Sequence, residues 1–400
     1  MRVLHVNKFL YRRGGAEGYL FDVARLQERA GDEVAFFGMA HVDNDPGLRF
    51  EEHFPSQVDL DPPPPGVRGR AEAAARMIWS TSARQGLART LKQFRPDVVH
   101  MHNVYHQLSP SVVAACRDAG VPVVMTLHDY KLACPSYQML DRGRPCDACV
   151  TGGPWQAARR SCKDGSRSAS TLLAVESWLH RRFRAYDGVG VFIAPSDFLA
   201  GVMTRAGVGA GRLRVLRHPV DVDTIKVKEK PGGGVVFAGR LAHEKGVDTL
   251  IEAADIAGLD IDIAGDGPAL AQLPRTKRTH FHGRLPKDEL HELIRSAAVV
   301  AVPSRWYENQ PLAVLEAFGC GVPVVGTDLG GLPELITPGV DGEVVPPDEP
   351  SSLASALQRT LKDLDLAFSM GRAGRRKVEQ HFSPADHLAG LNAAYGSVAG

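Results

Sequence analysis

Residues 304–325 read SRWYENQPLAVLEAFGCGVPVV, and residues 235–254 read VVFAGRLAHEKGVDTLIEAA. The second stretch is a β-branched run, a turn at Gly239 and an amphipathic segment, so a buried strand hands over to a helix after Lys245–Gly246. In the first, a polar loop precedes Asn309, a reasonable helix cap, and Pro311, a good first-turn residue. A second apolar run then follows at 322–326. Strand, loop and helix in succession predict a parallel sheet with helices on both faces.

The same alternation extends in both directions. Short apolar runs at 3–6, 98–100, 123–126, 190–194, 261–264 and 299–302 read as further buried strands. Helical patterns lie at 17–30, 111–119, 247–257, 288–297 and 312–319, and a last helix is expected over 384–398 after a break at Pro384. The elements form two series, one before about residue 200 and one after about 230. Right-handed crossovers make each series a doubly wound, Rossmann-like α/β domain. The segment between them, residues 212–234, holds His218–Pro219, ends in three glycines, and is read as the interdomain connection.

Four hundred residues suit two domains of roughly 150–200 residues each. Hydrophobic and charged contents of 44% and 23% are those of a globular chain, and a net charge of +1 gives no field for nucleic acid. The start, MRVLHVNKF, reads as a first strand rather than a secretory signal. No apolar run approaches the ~18 residues of a membrane span, so the expected compartment is the cytoplasm. Four prolines within 61–66 predict an extended surface loop, followed by a helix carrying Arg76, Arg84, Arg89, Lys92 and Arg95. That helix is either a solvated face or a peripheral contact with anionic lipid at the inner membrane face.

In open α/β sheets ligands bind beyond the carboxyl ends of strands, which is where Gly239, Arg240 and Lys245 fall. Arg240 can fork onto phosphate oxygens and Lys245 adds a point charge, although both also read as ordinary loop cations. Glu308 lies at a helix N-terminus, where N–H groups and dipole suit an anion, and Glu316 lies about one and a half turns inside. A carboxylate is the usual acceptor for a ribose diol. Two further glycine turns follow strands, at Gly265 to Pro268 and at Thr327 to Gly331, with Glu334 soon after. Two cations and two carboxylates at these places describe a site for a nucleotide-sugar.

Taken in order, GRL…KG (239–246), GDGP (265–268), HGRL (282–285), Glu308 with Glu316, GVPVV (321–325) and TDLGGLPE (327–334) resemble family 4 of the retaining glycosyltransferases, which have the GT-B fold. Gly14-Gly15-Ala16-Glu17, PDVVHMHN at 96–103 and Thr126-Leu127-His128-Asp129 match the same family, so the resemblance covers essentially the whole chain. It implies an acceptor domain over 1–218, with an insertion at 132–170 and a closing helix over 383–400, and a donor domain over 219–382. By this resemblance Arg240 and Lys245 neutralise the donor diphosphate, Glu316 holds the ribose, and Glu308 contacts the transferred sugar. The backbone around Gly283 to Leu285 meets the base, Gly15 approaches from the opposite domain, and His128 lies beside the reacting sugar. Gly239, Gly265, Asn309, Gln310, Pro311 and Leu312 complete the implied donor site. Many members carry Phe-Gly where this chain has Asn309-Gln310-Pro311, which leaves the donor sugar open.

The implied reaction is transfer, with retention, from a nucleoside-diphosphate sugar to a glycan, lipid-linked or small-molecule acceptor. UDP is the expected nucleotide, GDP and ADP the alternatives, and no catalytic metal is expected. Electrostatic stabilisation of the leaving diphosphate is the implied mechanism. The rival readings are a GT-B sugar-nucleotide epimerase and a non-catalytic nucleotide-sugar sensor; the intact Arg240, Lys245, Glu308 and Glu316 argue against the latter. His128 reads either as a general base or as a structural histidine.

Six cysteines are too few for a disulfide scaffold, but Cys134, Cys146, Cys149 and Cys162 are crowded into the 132–170 insertion. The CxxC flanked by single cysteines has metal-ligand spacing, and a structural zinc would order a segment poor in apolar residues. Reduced thiols or two disulfides are the alternatives. His100 and His102 share one face of a strand end, so two metal ligands or packing roles are open to them.

Overall fold

The structure is a computed structural model that describes residues 1–60 and 64–399; residues 61–63 of the proline-rich loop lie outside the described residues. Six parallel strands form the first sheet: β1 (Arg2–Val6), β2 (Glu33–Phe37), β3 (Val98–Met101), β4 (Val123–Thr126), β5 (Val191–Ala194) and β6 (Leu213–Val215). Their spatial order is β2-β1-β3-β4-β5-β6. The second sheet repeats the plan with β7 (Val235–Ala238), β8 (Ile261–Ala264), β9 (Thr279–Gly283), β10 (Val299–Val302), β11 (Val324–Thr327) and β12 (Gly342–Val345), in the order β9-β8-β7-β10-β11-β12. Strand order reverses direction between β1 and β3 in one sheet and between β7 and β10 in the other. Loops leaving these strands diverge there and open a crevice, the place where doubly wound sheets bind ligands.

The sheet centres are apolar on both faces. Strands β3, β4, β5, β7, β10 and β11 are buried at every position, and each Val or Ile so buried contributes about 1.5–3 kcal/mol. In these two sheets four strands were absent from the sequence expectation, and they are the four edges: β2, β6, β9 and β12. An edge strand faces a neighbour on one side only, and β9 alternates between partly and fully exposed residues.

Three helices position the site: α1 (Gly15–Arg29), α2 (Leu312–Gly319) and α3 (Pro384–Ala399). The last crosses back to the first sheet, where Leu391, Ala394 and Tyr395 join a buried cluster with Val3, Tyr19, Val98, Val124 and Ile193. The cation-bearing segment after the prolines departs from expectation. It is two helices, Gly66–Ile78 and Thr81–Phe94, separated at Trp79–Ser80, where the Ser80 hydroxyl accepts from Ala83 N and caps the second. Arg76 is spent on the carbonyls of Ser56 and Gln107, Arg84 pairs with Asp118, and Arg95 falls just past the second helix. The five cations therefore do not form one face. Among the described residues no helix is long and apolar enough to cross a membrane.

Candidate donor-sugar site

Three loops at the carboxyl ends of β7, β8 and β9 interlock through backbone hydrogen bonds. Gly239 N donates to Ala264 O at 3.0 Å, Leu241 N to Asp266 O at 2.9 Å, and Gly265 N to Gly283 O at 2.7 Å. A Cβ on Gly265 would lie 1.8 Å from the Gly239 carbonyl oxygen, so the first and second turns meet only because this residue is glycine. The Arg240 side chain rises from this platform, exposed and with no ion pair among the described residues. Lys245 follows, its Nζ 2.7 Å from Glu308 Oε1.

Glu308 is 5% exposed. Burial works to raise its carboxyl, but Lys245 and the Ser304 hydroxyl, which donates at 2.6 Å, outweigh that and hold it below the usual range. The Gly330–Gly331 turn locks the loop from behind: Gly331 N donates to Glu308 O at 2.6 Å, and a Cβ on Gly331 would lie 1.9 Å from Asn309 O. Glu316, half-buried on α2, hydrogen-bonds no side chain among the described residues, and burial raises its carboxyl. It is a desolvated acceptor without a donor.

The facing wall comes from the first domain. Gly15 opens α1, and a Cβ there would stand 3.8 Å from Leu312 Cδ1, so the starts of α1 and α2 meet across the cleft. His128 follows β4; burial pulls it down to about 3, too weak for a general base near neutral pH. Its Nε2 is 3.0 Å from His102 Nδ1. Asn309 was expected as a helix cap and is not one: α2 begins after Pro311 with no side-chain cap. Instead Asn309 Nδ2 crosses the cleft and donates to the His128 carbonyl at 2.8 Å. Gln310, expected at the donor, has both amide atoms on the hinge, accepting from His218 N at 2.7 Å and donating to His218 O at 3.1 Å. Pro311, Leu312 and Leu285 remain partly exposed.

Of the residues that hold the cleft, Glu334 ends a family motif without an assigned role, while Tyr130 and Lys8 carried no motif. The Glu334 carboxylate accepts from Asp197 N at 2.9 Å and Phe198 N at 2.6 Å, capping a helix of the opposite domain. Tyr130 OH donates to Tyr307 O at 3.1 Å, a second bond across the domains. Lys8, two residues past β1, has its ammonium depressed by burial beside Asp129 and Glu17. The available signal for Lys8 was the one used for Arg240: a cation just beyond a strand at a reversal of strand order.

All six cysteines are free thiols. The insertion folds as a hairpin of Leu140–Asp141 with Arg144–Pro145 and two short helices, Ala148–Gly152 and Trp155–Arg160. Its Cys134, Met139 and Val150 are buried in the first domain's core. Cys149 donates to Cys134, which lowers the Cys134 thiol and raises its own. Among the described residues the one group bringing three ligand atoms within 4.8 Å of one another is instead His5, His100 and His102. Each of those ring nitrogens already has a hydrogen-bond partner, so a metal there would have to displace the network.

Comparison with known proteins agrees with this geometry. The model of Glycosyltransferase Family 4 matches residues 13–224, and that of Glycosyl transferases group 1 matches residues 232–363. The chain belongs to glycosyltransferase family 4 and is a glycosyltransferase. It is 29% identical to an alpha-maltose-1-phosphate synthase of Mycolicibacterium smegmatis over 82% of this chain and 84% of that one. It is 27% identical to the 2-deoxystreptamine glucosyltransferase of Streptomyces kanamyceticus, over 83% and 86%. Its GT-B fold is that of a sucrose-phosphate synthase from Thermosynechococcus elongatus, with TM-score 0.71, 17% identity and 98% of each chain covered. Anabaena HepE, solved in complex with UDP-glucose, superposes with TM-score 0.65 at 20% identity, over 99% of this chain and 100% of that one.

Proposed function

We propose that this protein transfers a sugar, with retention at the anomeric carbon, from a nucleoside-diphosphate sugar to an acceptor held by the first domain. The observation that carries the reading is the junction at Asn309 and His128. It joins the loop of Lys245 and Glu308 to the histidine-bearing end of β4 in the first domain. Arg240 and Lys245 stabilise the departing diphosphate, supported by the helix starts at Gly15 and Leu312. Glu316 accepts from the ribose hydroxyls, and Glu308, kept ionised, faces the transferred sugar. No side chain is assigned as nucleophile; the leaving phosphate takes the acceptor's proton. UDP is the proposed nucleotide, in line with HepE binding UDP-glucose. Incubation with a panel of nucleotide sugars and acceptors tests this: transfer with retained configuration supports it, whereas epimerised donor or binding without turnover overturns it.

The four thiols of the insertion are read as a structural zinc site with no open position. They lie in one small segment without a core of its own, and two of them are already in contact. The hairpin also abuts the donor loop: a Cβ on Gly143 would lie 2.7 Å from His243 Nε2. Ordering the insertion therefore shapes the side of the cleft where an acceptor enters.

A further inference from the structure

Behind His128 runs a chain of buried hydrogen bonds with an amide at its centre, and beside it lies a second, shorter chain. His387 Nδ1, on α3, lies 2.8 Å from the carbonyl of Arg217. A carbonyl only accepts, so that nitrogen carries a proton. Burial holds His387, like His5, His100, His102 and His128, well below the usual histidine range, so each ring is neutral and has a single proton. His387 Nε2 then accepts, and the Tyr19 hydroxyl donates to it at 2.9 Å.

For the chain that reaches His128 the Gln27 amide sets the direction, its Nε2 donating to the Tyr395 hydroxyl and its Oε1 accepting from His5 Nε2. The neutral His100 ring, whose Nδ1 takes the Tyr395 proton, donates from Nε2 to the Thr126 oxygen at 2.7 Å. His100 Nδ1 accepts from the Tyr395 hydroxyl at 2.8 Å, and Tyr395 accepts from the Gln27 amide nitrogen at 2.9 Å. Gln27 Oε1 accepts from His5 Nε2 at 2.7 Å. His5 Nδ1 accepts from His102 Nε2 at 3.1 Å, and His102 Nδ1 accepts from His128 Nε2 at 3.0 Å.

We propose that this relay sets the tautomer of His128 from outside the site, with Gln27 and Tyr395 as positioning residues. His128 then carries its proton on Nε2 and presents Nδ1 to the cleft as a pure acceptor. Resting on the sugar-transfer reading, the consequence is that His128 takes a hydrogen bond from a sugar hydroxyl and does not donate one. A relay of this kind explains why a histidine too weak to serve as a base is tied to a helix from the far end of the chain. It also makes the site selective for a hydroxyl at that position, since a deoxy sugar leaves Nδ1 unpaired.

Long-range 15N–1H correlation of the histidine rings in the full-length protein reads the tautomer directly, with His128→Asn assigning the signal. The expected wild-type result is a single species protonated on Nε2. Gln27→Leu removes both links at the centre, so His128 should show both tautomers and the donor KM should rise several-fold with kcat changed less than twofold. Gln27→Glu should restore the wild-type tautomer and KM, because a carboxylate still accepts from His5 Nε2. Tyr395→Phe, which lets the amide of Gln27 turn over, gives the same readout as Gln27→Leu if that variant does not fold. Protonation of wild-type His128 on Nδ1, or a single unchanged tautomer in both Gln27→Leu and Tyr395→Phe, would overturn the proposal. The spectra are taken without donor, so a failure of sugar transfer would sink the functional reading alone.

Discussion

Asn309 of the second domain donates through Nδ2 to the backbone carbonyl of His128 in the first, at 2.8 Å. A single amide thereby links the loop of Lys245 and Glu308 to a strand end of the opposite domain. Removing it strands a carbonyl in the cleft and loosens the register of the two domains, at a cost of about 1–3 kcal/mol. Asn309→Ala is expected to lower kcat/KM by roughly 5- to 150-fold, with a modest fall in melting temperature. Steady-state kinetics beside a melting curve checks this; unchanged kinetics would remove the junction from the mechanism.

Arg240 and Glu316 should separate chemistry from binding. Arg240 is exposed and has no ion pair among the described residues, so Arg240→Ala costs the fold little and is expected to slow turnover on the order of 10²-fold. Glu316→Ala is expected to weaken nucleotide-sugar binding roughly ten- to a hundredfold, the scale of hydrogen bonds to a charged group. Calorimetric titration with donor and single-turnover rates distinguish the two. Normal turnover in both variants would sink the site.

Stability should fall steeply in mild acid. His5, His106 and His387 are pulled down to about 4, and His128 to about 3, chiefly by burial. Between pH 6.5 and 4 the unfolded chain binds these protons and the folded one does not, so stability rises with pH across that window and is lost as pH falls through it. Each such histidine contributes a slope of about 1.4 kcal/mol per pH unit. Urea midpoints between pH 4.5 and 7 provide the measurement, and a flat profile would contradict a neutral buried cluster.

Gly265→Ala tests the interlocked loops. The new Cβ would meet the Gly239 carbonyl at 1.8 Å, and backbone cannot yield as a side-chain tip can. A loss of at least about 2 kcal/mol in stability is expected, together with weakened donor binding. The same change at Gly233, which has no atom within 4 Å of its Cβ, serves as the neutral control.

The zinc reading predicts about one metal per chain in purified protein and a lower melting temperature after chelation. Cys146→Ser should lose the metal and alter acceptor choice. Metal content, folding and acceptor choice all unchanged in that variant would refute it.

Much of the fold was legible in local pattern, and its gaps have a common cause. Central strands such as β7 and β10 are apolar on both faces, so each announces itself as a β-branched run. The edge strands β2, β6, β9 and β12 pair on one side only, and β6 and β9 bury no residue fully, so those two carry little hydrophobic signal. The split between Gly66–Ile78 and Thr81–Phe94 was likewise hidden, because a serine cap two residues past a helix end is a weak mark beside a run of basic residues.

The motifs at the strand ends were readable because they are local in sequence. Gly239 with Arg240, Gly265 and Glu308 each sit at the end of one strand, and short turns that approach a ligand or each other demand glycine and charge at fixed offsets. What those side chains touch was not readable. Asn309 and Gln310 look like helix-start residues, yet their amides go to His128 and His218, which are distant in the chain and are brought near by the meeting of two domains. The state of His128 is set from farther still, through Gln27 on α1 and Tyr395 on α3. By itself, then, the sequence determined which chemistry stands at the strand ends. Only the tertiary structure decided how it is wired, since a hydrogen bond depends on distance in space and leaves no period in the chain.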